Sequence, residues 1–133
     1  MIAIKNEQEL LAMRQACKIT AAARALAGEM VRPGVSTKAI DRAVREFILE
    51  QGAKPSFLHY NGFPASACIS VNNVVIHGIP GGYKLQEGDI VSIDVERFGR
   101  VFMVTVLPRL PAEPLLLRQK SSFRSRSRAF SRA

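Results

Sequence analysis

The hydrophobic period of the chain changes once, at Gly52, and that change limits what the sequence can fold into. Before it, apolar side chains recur at Leu10, Leu11, Met13, Cys17, residues 19–23, Leu26 and Met30, close to a 3.6-residue repeat. The pattern predicts a helix over residues 6–30, with Asn6 as its cap, Glu7 and Glu9 in a first turn that favours anions, and Cys17 in the core. Arg32-Pro33-Gly34 breaks it. A second helix is expected over residues 37–51, capped by Ser36 or Thr37, with Ile40, Val44, Phe47 and Ile48 as its stripe and Gly52 closing it. Beyond Gly52 the apolar residues come in short β-branched runs. Residues 67–70 and 74–79, separated by Val71-Asn72-Asn73, read as a hairpin, and residues 90–95 read as a buried strand whose one carboxylate is Asp94. The order α-α-β-β-β places the chain in the α+β class.

Charge divides the chain differently. The net charge of +8 invites a nucleic-acid reading, but residues 1–96 hold ten Lys and Arg against ten Asp and Glu. Residues 97–133 hold nine Lys and Arg against Glu113 alone, so the whole excess sits there. Residues 107–117 carry three prolines and a leucine triplet without a period, and residues 120–133 form a Ser/Arg tract that cannot bury enough apolar area to fold alone. The expected organisation is therefore a domain over residues 1–95 and a disordered basic tail over residues 96–133. With 47% hydrophobic residues, collagen-like and wholly disordered classes are excluded. Two distant cysteines, Cys17 and Cys68, cannot staple a chain of this size, which suits a reducing, cytoplasmic setting. The first eleven residues carry Lys5, Glu7 and Glu9 and do not read as a secretory signal, and no apolar run reaches the ~20 residues of a membrane span.

Three strings carry chemistry: SFLHYNGFPASACISVN at residues 56–72, VIHGIPG at 75–81, and LQEGDIVSIDV at 85–95. In this order and spacing they resemble the N-terminal half of type I methionine aminopeptidases, and the resemblance covers about residues 4–95. It implies one half of a pita-bread fold, two related α+β halves around a dinuclear centre of divalent metal (Co, Mn, Fe or Zn). The implied reaction removes the initiator methionine from nascent peptides, by a cytoplasmic monomer acting near the ribosome. Asp94 matches the first carboxylate ligand, and His77 matches a catalytic histidine contacting substrate near the scissile amide. Phe57, Tyr60, Phe63 and Cys68 match the wall of the methionine pocket, and Asn72 and Val74 match carbonyl ligands of a monovalent cation. His59 has no assigned role. Read from the residues alone, Asp94 could instead cap a turn at the strand exit, His77 could be an ordinary turn residue, and the aromatic wall could be plain core. A second reading, from another class, is a non-catalytic basic protein that binds RNA or another polyanion through residues 97–133.

The resemblance breaks after Asp94. The family continues Val-Gly-Ala, then Gly-[Phe/Tyr]-[His/Tyr]-Gly-Asp, with the last Asp eleven residues after the first; here Glu96-Arg97 and Thr105 stand in those places. No counterpart of the remaining ligands, one His and two Glu, follows within these 133 residues, so this chain is expected not to hold the dinuclear site. The genetic code suggests a cause. If one nucleotide is missing in codon 96, each restored residue takes the third base of one codon and the first two of the next. Met103 followed by Val104 then forces glycine at position 104, and Phe102 followed by Met103 forces tyrosine or histidine at 103. Val104 followed by Thr105 allows aspartate at 105, and the codons before them allow Gly-Phe at 101–102 and Gly-Ala at 96–97. Residues 96–133 are thus expected to be an out-of-frame reading appended to an aminopeptidase half. Sequencing the gene through codons 94–106 should show a TATGGNGAC-like run in the alternate phase; its absence removes the explanation.

Overall fold

Helix α1 (Glu7–Met30) begins at a capping box: Asn6 Oδ1 accepts from the Glu9 N–H at 2.9 Å, and Glu9 Oε2 accepts from the Asn6 N–H at 2.8 Å. The computed structural model describes residues 4–98, 103–106 and 109–112. The face that α1 buries differs from the expected one. Ala16, Thr20, Ala23, Ala27 and Gly28 are buried, while Leu10, Leu11 and Cys17 are exposed. The cause is packing distance: small residues at i, i+4, i+7 and i+11 let the helix backbone approach the sheet closely, and large neighbours then turn outward. Helix α2 (Thr37–Glu50) follows expectation. Ser36 Oγ accepts from the Ala39 N–H, and Ile40, Val44 and Ile48 are wholly buried, each burial worth about 1.5–3 kcal/mol. Gln51 is its C-cap, followed by Gly52 at φ 68°.

The sheet contains β1 (Lys54–Pro55), β2 (Ala67–Val71), β3 (Ile90–Phe98), β4 (Met103–Val106) and β5 (Arg109–Pro111). All four other strands pair antiparallel with β3. The longest register runs from Ala67↔Val95 through Cys68↔Asp94 to Val71↔Val91. Two expectations need correction. Residues 74–79 form no strand, so β2 has β3 as its partner rather than a hairpin mate. Asn72 and His77 stand at φ 53° and 56°, which takes the backbone out of the extended region just before that segment and within it. Residues 90–95 are also not buried throughout. Val91, Ile93 and Val95 pack into the core with Ala67, Ile69 and both helices, while Ile90 is exposed and Ser92 and Asp94 are half-buried on the opposite face.

The expected tail starts at residue 96, yet β3 runs unbroken through Glu96, Arg97 and Phe98, and β4 and β5 lie in the sheet beyond it. The Ser/Arg tract of the expected tail lies outside the described residues. Arg97 falls on the helix-packed face, 6% exposed, and its Nε donates to the Ala16 carbonyl at 3.3 Å. Burial lowers its pKa from the ordinary arginine value, with Cys17 opposing the shift. A guanidinium on this face is a costly occupant where the resemblance expects alanine.

Asp41 ties α2 to the start of β2. Its Oδ1 accepts from the Ser66 and Ala67 N–H groups, 2.8 Å each. Burial raises its pKa above 3.8, outweighing those two hydrogen bonds and the nearby Arg45 charge. The folded state thus holds the Asp41 proton more tightly than the unfolded chain, and this group's contribution to stability falls as pH rises through the carboxylate range. Asp41→Ala strands two buried N–H groups and should lower stability by about 2–4 kcal/mol. Asp41→Asn keeps an acceptor and removes the desolvated charge, so it should gain on the native chain as pH rises through the carboxylate range in denaturant titrations.

Candidate functional site

The face of the sheet turned away from the helices carries the chemistry. Cys68 and Asp94 are register partners there, because each lies one residue out of phase with the core-facing positions of its own strand. Over Cys68 folds the segment that links β1 to β2. His59, Asn61 and Gly62 all have positive φ, and hydrogen bonds from the Tyr60 N–H to Phe57 O and from the His59 N–H to Phe63 O close this loop on itself. The loop stands Phe57 and Phe63 against each other, ring centroids 6.0 Å apart and tilted by 59°.

The result is a mostly apolar cavity of about 440 Å³ lined by Phe57, Tyr60, Phe63, Cys68 and His77, together with Asn61, Gly62, Pro64 and Ile79. All five residues singled out from the sequence as substrate-contacting meet here. Asn61, Gly62, Pro64 and Ile79 complete the lining and sit inside the same YNGFP and HGIP strings. His59 is exposed and outside the cavity lining.

Burial, and then the negative charges of Asp94, Glu96 and Asp41, push the Cys68 thiol up to about 11. It stays protonated and serves as apolar wall rather than nucleophile. Burial, reinforced by the charge of Glu96 and opposed by His77, pushes the Asp94 carboxyl up to about 6. Asp94 Oδ1 is buried without a hydrogen-bond partner. A buried acceptor left in this state fits a cation ligand, since a metal supplies what no N–H does. The fit ends with that residue: among the described residues, no group of three or more His, Cys, Asp or Glu side chains could hold a metal ion.

His77 also lines a second cavity of about 600 Å³, where Asn72 and Val74 lie beside Thr37, Gly81 and Tyr83. The Asn72 side chain is committed: its Nδ2 donates to Asp89 Oδ1 at 2.8 Å and its Oδ1 accepts from the Ile90 N–H at 2.9 Å. Asp89 also accepts from Tyr83 OH and the Gln86 N–H, and the hydrogen bonds from Asn72 and Gln86 hold its carboxyl below its ordinary value. Gly78 anchors the other end of the His77 segment. Its carbonyl accepts from the Ile69 N–H and its N–H donates to Ser70 Oγ. A Cβ there would stand 2.7 Å from the Ser70 Cα, so only glycine fits.

Residues 11–98 match the model of metallopeptidase family M24. The chain is 57% identical over 94 residues to a methionine aminopeptidase of Clostridium perfringens, and 47% identical over 95 residues to methionine aminopeptidase 1 of Bacillus subtilis. Each match takes in 71% of this chain and 38% of the relative, so the chain matches well under half the length of these relatives. Its mixed helix-and-sheet fold superposes on the crystal structure of methionine aminopeptidase from Rickettsia prowazekii with a TM-score of 0.81 at 34% identity, covering 91% of this chain and 49% of that one.

His77 holds its left-handed backbone without being glycine, a conformation that costs a side-chain-bearing residue of order 1 kcal/mol. His77→Gly should therefore leave thermal stability unchanged or raise it by up to about 1 kcal/mol, while His77→Ala should not. A large loss of stability in His77→Gly would show that the imidazole is a structural contact.

Proposed function

Because the chain belongs to metallopeptidase family M24, we propose that its described fold is the methionine-recognising half of an aminopeptidase that removes the initiator methionine from nascent polypeptides. One observation carries the reading: the wall of the apolar cavity and a buried, unpartnered carboxylate oxygen sit on adjacent strands, at the Cys68↔Asp94 pair. A cavity of aromatic rings and a protonated thiol suits an unbranched thioether side chain, which adapts to an irregular apolar wall. In this reading Phe57, Tyr60, Phe63 and Cys68 hold the methionine side chain, and His77 orients the peptide at the scissile amide. Asp94 is one divalent-metal ligand, and the carbonyls of Asn72 and Val74 face a monovalent cation. Divalent ions (Co, Mn, Fe or Zn), when bound in such enzymes, supply Lewis-acid activation of the carbonyl and of water. Its substrate is the N-terminus of a newly made chain in the cytoplasm; among the described residues no helix is long and apolar enough to cross a membrane.

We further propose that these 133 residues do not turn over. Asp94 is one ligand where a dinuclear centre needs several. At the position where the resemblance expects the bridging carboxylate stands Thr105, which pairs with Glu96 in the β3–β4 register. A division near residue 95, with residues 96–133 read out of frame, draws support from the family match ending at residue 98 and from Arg97 buried on the core face.

Two proteins test both statements. The purified chain, given each metal in turn, should release no methionine from a Met-Ala-Ser peptide; release above the metal-only blank overturns inactivity. A protein made after restoring one nucleotide in codon 96 should release it, and Asp94→Asn in that background should lower kcat/KM by at least about 100-fold. A restored protein that folds, binds metal and releases nothing counts against the aminopeptidase reading.

A further inference from the structure

The segment that carries His77 is held at its two ends and little between. Val74, Val75 and Ile76 are 47%, 73% and 60% exposed, so side-chain burial does not fix its path. At the far end Gly78 is locked onto β2 by its bonds with Ile69 and Ser70. At the near end Asn72 is gripped three times: its N–H donates to Ile90 O at 2.9 Å, its Nδ2 donates to Asp89 Oδ1, and its Oδ1 accepts from the Ile90 N–H. Those bonds hold Asn72 at φ 53°, where the segment leaves β2.

We propose that Asp89 is a positioning residue for His77. Its carboxylate splits two duties between its oxygens. Oδ2 takes the Tyr83 hydroxyl at 2.9 Å and the Gln86 N–H at 2.8 Å, which fixes the turn before β3. Oδ1 takes Asn72 Nδ2 and so joins that rigid turn to the foot of the His77 segment. Rigid support of this kind places a reacting group that sits on a loop. With both feet clamped, His77 reaches the rim shared by the two cavities.

Hydrogen-bond polarity separates the two duties. In Asp89→Asn an amide replaces the carboxylate. Two donors converge on the Oδ2 side and one on the Oδ1 side, so the amide oxygen belongs at Oδ2 and its N–H2 then faces Asn72 Nδ2. The turn survives and the link to Asn72 is replaced by two opposed donors. The exchanged pair, Asn72→Asp with Asp89→Asn, restores it: the new carboxylate accepts from the new amide and from the Ile90 N–H, and aspartate tolerates the left-handed backbone.

The inference rests on the reading of His77 as a substrate-contacting residue, but its test needs no turnover, so its failure and that of the aminopeptidase reading are distinguishable. The test is solution NMR on the full chain, reading the His77 ring resonances and their cross-peaks to protons of the 440 Å³ cavity wall. The native chain should show these cross-peaks. Asp89→Asn should lose them and move the ring resonances away from their native positions, with the methyl resonances of Ile40, Val44 and Ile48 unmoved. The exchanged pair should regain both signatures. Cross-peaks absent from the native chain, or intact in Asp89→Asn, overturn the proposal, as does an exchanged pair that folds without regaining them. If Asp89→Asn does not fold, an exchanged pair that folds with His77 in place supports the proposal, and one that also fails to fold overturns it.

Discussion

Strand β3 is asked to do two incompatible things, and the pleat lets it do both. Val91, Ile93 and Val95 are wholly buried beneath α1 and α2, and the intervening Ser92 and Asp94 emerge on the other face. Every other strand among the described residues pairs with β3, so the depth of Asp94 is set by core packing rather than by its own contacts. That is why a carboxylate can be held with one oxygen buried and unpartnered: the sheet sustains a cost that the side chain alone would relax. The same pairing puts Cys68 beside Asp94; burial and then the Asp94 charge raise the thiol's affinity for protons, while burial and then the Glu96 charge raise that of Asp94.

Around this rigid plane the groups that line the cavity arrive on loops. The aromatic wall comes from the segment between β1 and β2, and His77 from the segment after β2. Both segments use left-handed backbone at non-glycine residues, His59, Asn61, Asn72 and His77. Such conformations persist only where the surroundings over-determine them. At Asn72 and His77 the constraint comes from Asp89, Ser70 and the main chain of β2 and β3, and at His59 and Asn61 from the loop's own hydrogen bonds.

Residues after 95 tell a different physical story. They complete the sheet as β4 and β5, yet Arg97 puts a guanidinium against α1 on the face where every other β3 position is aliphatic. A backbone ladder can form from nearly any sequence, whereas a core face selects its side chains. The uneven charge points to the same place in the chain, since all of the net +8 falls after residue 96.

Much of the fold was legible in the residues. Asn6 and Glu9 announce the first helix, Ile40, Val44 and Ile48 give the buried stripe of the second, and the β-branched run around Asp94 marks β3, because caps, periodicity and composition are local properties. The three strings that carry the resemblance held the cavity wall, Asp94 and His77. Local patterning failed where distance decided. Ala16, Ala23 and Ala27, not the leucines, face the sheet, because how closely a helix approaches is a property of both partners. Residues 74–79 look like a strand but do not pair as one, since Asn72 is held in its turned conformation by Asp89, far along the chain, and His77 leads into Gly78, which is bonded to β2. The sequence by itself determined which residues could bind and react. Only the tertiary structure decided which of them meet, because pairing β2 with β3 brings together side chains more than twenty positions apart.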